Sequence, residues 1–498
     1  MNLEIIKSIF SVMNILMMNV GVASGIIIGA LPGLNIIFAL AVLLPLTFGM
    51  GSETGMFLLL GAYIGATYGG SISAILINTP GTPAACATMV DGYPLAQQGR
   101  AGDALKTALI GSTFGGIVSC IALLFFAPLI AKIALQITSP EYFALCVFGL
   151  TAVIGLSQGK VLKGVIMAMI GLFLSTVGID SATGTQRFMF GNMQLLAGLK
   201  IVTVMLGTFA LSEVLFKSEQ IVSKKTDKKD IIKFKKSTIK LRDILKYWKT
   251  MIKSSIMGVM IGAIPGTGAA IAAMLSYNEA RRSSKKPEEF GHGSIEGVLA
   301  PETGNNAVSG ATLIPLLTLG IPGDAAVAVL LGALMMQGIT PGAALFSGGG
   351  YWVYAIMGGL LLINVFMLMQ GLLFVRIFAN ITRVPAIMLI PCIMILCTVG
   401  AFAINNALFD VLIMMAFGLF GYVMIKFDFP IAPLTIGLVL GNLCETNLRR
   451  ALMLSEGNPL VFISRPISAV ILAIAFIMLF MPMIKDLFKK RKAAYVAK

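Results

Sequence analysis

Charged side chains are scarce. Asp, Glu, Lys and Arg make up 12% of the 498 residues, against roughly 25% in an ordinary soluble domain. A chain this long cannot cover its surface with so few solvated groups. That excludes a soluble enzyme, a disordered protein and a nucleic-acid-binding domain as first readings. Histidine is scarcer still. His292 is the only one, so a His-rich metal site or a Ser-His-Asp triad has no residues to draw on. The cysteines (Cys86, Cys120, Cys146, Cys392, Cys397 and Cys444) form no Cys-x-x-Cys pair and lie mostly in apolar runs, as buried free thiols do. No convincing cleavage site follows the apolar stretch after Lys7, which reads as a retained helix rather than a signal peptide.

What the chain does have is apolar sequence, 57% of its residues. Segments near the roughly twenty residues that span a bilayer recur throughout. In the first half they lie at 9–31, 34–49, 55–78, 104–131, 141–158, 161–179 and 195–216. In the second they lie at 253–276, 297–320, 351–376, 384–404, 408–425, 430–443 and 464–484. The expectation is an all-α polytopic membrane protein with roughly 11–14 transmembrane segments. The net charge of +15 sits almost wholly in residues 217–253, with thirteen Lys/Arg against four acids, and in 485–498, with six against one. Positive charge beside apolar runs marks the cytoplasmic side and not a nucleic-acid patch. The expected organisation is a membrane repeat at 1–216, a basic cytoplasmic linker at 217–252, a second repeat at 253–484 and a basic cytoplasmic tail at 485–498.

The two halves echo each other. Gly29-Ala30-Leu31-Pro32-Gly33 returns as Gly262-Ala263-Ile264-Pro265-Gly266, and Thr79-Pro80-Gly81-Thr82 as Ile321-Pro322-Gly323-Asp324. The loop at 49–55 has no basic residue, whereas its counterpart holds Arg281, Arg282, Lys285 and Lys286. After the second motif the contrast reverses: 91–106 carries Arg100 and Lys106, and 341–351 carries no charge. Equivalent loops on opposite faces make the repeats inverted, an arrangement common in secondary transporters.

Pro80, Gly81 and Pro83 must break any helix arriving from residue 55. A break at membrane depth survives only where protein or a watery cavity satisfies its backbone. Residues 84–90 can restart a helix capped by Thr82 or Thr79, and its free N–H groups form an anion site that needs no lysine or arginine. Gly320, Pro322 and Gly323 repeat the device, followed by a helix over 325–336. Asn78, Thr79 and Thr82 surround the first break, and Asn305 and Asn306 precede the second. Their amides and hydroxyls suit a carboxylate or Na⁺, or else glue helices together. Asp91, Glu302, Asp324, Asp410 and Glu445 are acids near apolar sequence. Each is a carrier for H⁺ or Na⁺ or an interfacial partner, with Asp91 set beside Arg100 and Glu445 beside Arg449 and Arg450. Asp324 either caps its helix or couples an ion. Gly61, Gly65, Gly69 and Gly70 form a stripe for close helix packing.

These motifs resemble the large membrane subunit of the tripartite tricarboxylate transporters, the TctA family. The resemblance rests on Gly-Ala-Tyr-Ile-Gly-Ala-Thr-Tyr-Gly-Gly-Ser at 61–71, Asn-Thr-Pro-Gly-Thr-Pro-Ala at 78–84 and Asp-Gly-Tyr-Pro-Leu-Ala at 91–96. It continues through Phe-Gly-His-Gly-Ser at 290–294, Pro-Glu-Thr-Gly-Asn-Asn at 301–306, Leu-Gly-Ile-Pro-Gly-Asp at 319–324 and Glu-Thr-Asn-Leu-Arg-Arg at 445–450. It implies a bacterial inner-membrane, ion-driven importer of small organic carboxylates. Its implied partners are an extracytoplasmic solute-binding protein and a small four-helix membrane subunit. Two positions depart from the family pattern: Asp324 in the second break, and Leu34-Asn35 after the first Pro-Gly. An ionised Asp324 would repel an anion, which leaves open a less charged substrate or proton coupling.

The resulting expectation is substrate held by Asn78, Thr79, Pro80, Gly81, Thr82, Gly320, Pro322, Gly323, Asp324, Asn305 and Asn306. Asn306, Asp324 and Glu302 are the ion-coupling candidates. No cofactor is expected beyond Na⁺ or H⁺ as coupling ion, and no nucleic acid. The rivals are a membrane-embedded enzyme acting on a lipid-linked substrate, which would need a nucleophile–base pair or a metal, and a passive anion channel, which would need a pore-lining charge ring.

Overall fold

The computed structural model describes residues 3–31, 34–155, 160–180, 183–223, 237–381 and 386–480. Pro32-Gly33, the middle of the basic stretch at 224–236 and the basic tail at 485–498 lie outside the described residues.

The first half contains α1 (Leu3–Ile9), α2 (Val12–Ala30), α3 (Ile36–Leu43), α4 (Ser52–Ile77), α5 (Ala85–Leu95), α6 (Ala101–Ala134), α7 (Ser139–Gly155) and α8 (Val161–Ser175). A short antiparallel hairpin, β1 (Gly178–Ile179) with β2 (Gln186–Arg187), leads to α9 (Ile201–Met205) and α10 (Ser212–Ser223), joined by a π turn. The second half contains α11 (Leu241–Leu245), α12 (Trp248–Gly262), α13 (Gly268–Ser283), α14 (Ile295–Ala311), α15 (Leu313–Leu319), α16 (Ala325–Met336), α17 (Tyr351–Ile381), α18 (Ala386–Asn405), α19 (Leu408–Lys426), α20 (Ala432–Leu454) and α21 (Val461–Ser464). A last apolar helix, α22, covers Pro466–Phe480. Six helices among the described residues are long and apolar enough to cross a membrane, and six more are apolar but shorter.

Where the segments differ from expectation, glycine, proline or a new partner explains it. Residues 253–276 do not form one span. Pro265 and the left-handed Gly266 (φ +83°) and Gly268 (φ +73°) end α12 and turn the chain into α13. Residues 91–106 are not a loop. The helix restarted after the first break runs to Leu95, passes a π turn over Ala96–Arg100 and enters α6 through Gly99 at φ +80°. Residues 34–49 hold only an eight-residue α3 and a 3₁₀ turn at Pro45. Apolarity does not end α20 at 443. It continues to Leu454, because Glu445 and Arg449 find partners in the hairpin.

α4 is the central shaft: every residue from Gly55 to Ile77 is buried. α2 lies along it in parallel. Gly61, Gly65 and Gly69 sit against backbone of Met18, Val22 and Ile26, which is close helix packing as the stripe implied. Gly70 differs, since it faces Thr82 in the first break. The outer helices turn apolar residues outward. On α19, Leu408, Leu412, Met415 and Leu419 are all exposed at helical spacing, a stripe suited to lipid.

Candidate functional site

At the first break α4 ends on Asn78, whose φ of +51° lets its N–H bond back to Ser73 O. Thr79 returns its hydroxyl to Ile77 O at 3.2 Å, and Pro80 follows it, half-buried. The Gly81 N–H donates to Gly70 O at 3.1 Å. A side chain at Gly81 would collide with Gly29 O and Gly70 Cα, so only glycine fits between α2 and α4. The buried Thr82 hydroxyl accepts from Ala85 N at 3.3 Å and caps α5.

At the second break α15 ends on the left-handed Gly320 (φ +72°), with Pro322 buried behind it. Gly323 O accepts from Gly266 N at 2.8 Å, and Gly323 packs on Thr312. Asp324 caps α16 by accepting from Val327 N at 2.8 Å, and α16 spans the 325–336 that the sequence implied.

The two breaks are linked through α4 and α14. Tyr63 shares a hydrogen bond with Thr312 at 3.3 Å, while Ser71 donates to Glu302. The order of these contacts runs α4 and α14 in opposite directions. Gly81 sits at the level of Gly70 and Gly323 at that of Thr312, so the breaks stand about 10 Å apart along α4.

A buried polar cluster starts at the level of the first break. Glu302 is fully buried and accepts from Ser71 on α4, Thr88 on α5 and Ser112 on α6, the last at 2.8 Å. Asn305 and Asn306, three and four residues on, share its helix face. Asn306 Nδ2 donates to Glu302 O at 3.3 Å, but Asn306 Oδ1 makes no hydrogen bond. Neither polar atom of the Asn305 side chain makes one either, nor does the Tyr68 hydroxyl one turn before Ser71. Each such buried group costs about 1–3 kcal/mol unless something else completes it. Asn306 is thus bonded to Glu302, and Asn305 lies beside it on the same helix. Ser71, Thr88 and Ser112 are additions, and a lone hydroxyl in a glycine-rich apolar helix gives no sequence signal.

Asp91 is a correction. It does not pair with Arg100, which bonds Asp103 at 3.0 Å. Fully buried, Asp91 accepts from the backbone N–H groups of Gly291, Gly293 and Ser294 at 2.8–2.9 Å and from the Tyr277 hydroxyl at 2.9 Å. It therefore staples α5 to the turn before α14, and two separate sequence motifs meet there. Glu445 does meet Arg449, at 2.7 Å, but within a closed ring. Arg187 bridges Glu445 (2.7 Å) and Asp180 (3.9 Å), and Arg449 bridges the same two acids (2.7 and 2.8 Å). The bond to Glu445 holds the Arg187 guanidinium above its ordinary pKa.

Interrupted helices around a buried polar cluster, under an apolar outer surface, define a multi-pass all-α membrane protein. The model of the tripartite tricarboxylate transporter TctA family matches residues 15–436, and the chain belongs to that family, as a large subunit of a transporter. It is 38% identical over 483 residues to the "Uncharacterized 52.8 kDa protein in TAR-I ttuC' 3'region" of Agrobacterium vitis, covering 97% of this chain and 96% of that one. It is 37% identical over 239 residues to the "Uncharacterized protein in TAR-II ttuC' 3'region" of the same organism, covering 48% of this chain and 99% of that one. No solved structure matches it.

Proposed function

We propose that this subunit imports small organic carboxylates, of the di- or tricarboxylate type, by ion-coupled alternating access. A solute-binding protein would deliver substrate from outside, and a small four-helix subunit would complete the system. The observation that carries the reading is the pair of helix breaks flanking the Glu302 cluster across antiparallel α4 and α14. The substrate carboxylate would meet the amino end of α5 at Asn78, Thr79, Pro80, Gly81 and Thr82, with Gly320, Pro322, Gly323 and Asp324 opposite. Glu302, with Asn305 and Asn306, would carry the coupling ion, Na⁺ or H⁺, and Asp324 is a second candidate.

Inverted repeats are supported by reciprocal packing. α2 runs parallel to α4 as α12 does to α14, and α6 meets α17 antiparallel, Gly116 at Asn364 and Leu109 at Gly371. α3 packs on α16 as α13 packs on α5. Orientation in a bacterial inner membrane is supported by charge. Lys106 reaches Ile239 O, Gln98 reaches His292 O, and Lys426 pairs with Glu219. These contacts join basic segments, among them residues 237–240 of the linker, to their neighbours, and we assign that side to the cytoplasm. The ring at Asp180 would then face outside.

The test is uptake into proteoliposomes with the partner proteins and an imposed Na⁺ or H⁺ gradient. Gradient-dependent uptake that falls on the order of tenfold or more in Glu302→Gln, with insertion intact, is the expected result. Flux indifferent to both gradients, or full coupling in the variant, would refute the assignment.

A further inference from the structure

We propose that the turn after the β-hairpin is a membrane-inserted wedge, in which Phe188, Phe190 and Met193 enter the headgroup–acyl boundary of the adjoining leaflet. The hairpin and its loop connect α8 to α9. Such connections are ordinarily polar, yet residues 188–199 carry no charged side chain. Phe190 is 90% exposed, Met193 71% and Phe188 47%. Phe188 and Phe190 both take a left-handed φ, +52° and +49°, which bulky side chains rarely adopt. Strain of this kind persists only where the surroundings fix it. Here they do so on both sides. β1 pairs with β2 before the turn, and Arg187 bonds Glu445 at 2.7 Å. Within and after it, Met189 is buried and Asn192 accepts from Gln194 N at 2.9 Å. The aromatic rings are therefore presented outward by a braced backbone.

Lipid is the occupant that the neighbours indicate. Leu162, Ile166, Met169 and Phe173 form an exposed apolar stripe along α8 at helical spacing. Phe173 ends that stripe, and its ring centroid lies 4.8 Å from that of Phe188. The turn thus prolongs a surface suited to lipid instead of standing apart from it. The hairpin's other exposed side chains are polar, Thr183, Thr185 and Gln186. One aromatic edge and one polar edge are what a segment lying in the interface requires. Through Arg187 and Glu445 the wedge would pin α8, the hairpin and the end of α20 to one leaflet, whichever way the chain is oriented.

Tryptophan reporters in the full chain, reconstituted in phosphatidylcholine vesicles, test this. Phe190→Trp and Met193→Trp are each measured against the wild type, whose Trp248 and Trp352 set the background, and against Gln186→Trp on the polar strand. The added emission of Phe190→Trp and Met193→Trp is expected to be blue-shifted, quenched by phosphatidylcholine brominated near the top of its acyl chains, and shielded from aqueous iodide. Gln186→Trp is expected to show the reverse. Emission as open to iodide as that of Gln186→Trp, in either reporter, would overturn the proposal. So would shielding that appears only when the partner proteins are added, because the turn would then be a protein-docking site.

Discussion

The two helix breaks have the same plan and opposite chemistry. Each ends its first helix on a left-handed residue, Asn78 or Gly320, passes through Pro-Gly, and restarts on a side-chain cap. At the first break the cap is the neutral Thr82, and the N–H groups of Ala85, Cys86 and Ala87 turn back to the carbonyls of Thr82, Pro83 and Ala84. At the second, Asp324 brings its own carboxylate to the start of α16. The closures differ too. Gly81 is locked against backbone on both sides, from Gly29 and Gly70, while Gly323 meets the Thr312 side chain as well as its Cα. The lesson is that a repeated motif can preserve its turn geometry while changing the charge at the helix start, neutral at Thr82 and acidic at Asp324.

Three substitutions would break or sharpen that contrast. The largest difference should come from alanine at the two glycines. Gly81→Ala forces backbone apart and should cost about 3 kcal/mol, against about half that for Gly323→Ala, where Thr312 can yield. Thermal unfolding of the purified variants measures this, and equal losses would erase the distinction in packing. Next, Thr82→Val removes the cap of α5 at a cost of about 1 kcal/mol and should raise the KM for the carboxylate severalfold. An unchanged KM would remove the first break from the binding site. The smallest effect on stability should come from Asp324→Asn, which keeps a capping oxygen and changes stability by less than about 0.5 kcal/mol. With the negative charge gone, the KM should fall. Lost uptake at unchanged KM would instead make Asp324 a coupling group.

Much of this was legible in the sequence, for identifiable reasons. Proline and glycine act locally, so the breaks at Pro80 and Pro322 and the extent of α16 could be placed from the residues alone. Apolarity acts locally as well, which is why the membrane segments were recognisable even where their ends shifted. The end of α12 at Gly262 was missed because Pro265-Gly266 sits inside an unbroken apolar run. The partners of Asp91 escaped for another reason. Its ligands are backbone N–H groups some two hundred residues away, made available by the left-handed Gly291 and Gly293, and no side chain advertises them. The hydroxyls on Glu302 come from three different helices, so only tertiary structure assembles them.

The glycine-lined seam between α2 and α4 has a mechanical corollary. Backbones pressed this closely at three successive turns cannot slide past one another, and the first break is wedged between them at Gly29 and Gly70. Those two helices and their turn must travel as a single rigid strut. Any rearrangement that opens the core to one face or the other has to bend the chain elsewhere, for instance beyond α5, where the left-handed Gly99 already breaks the line into α6.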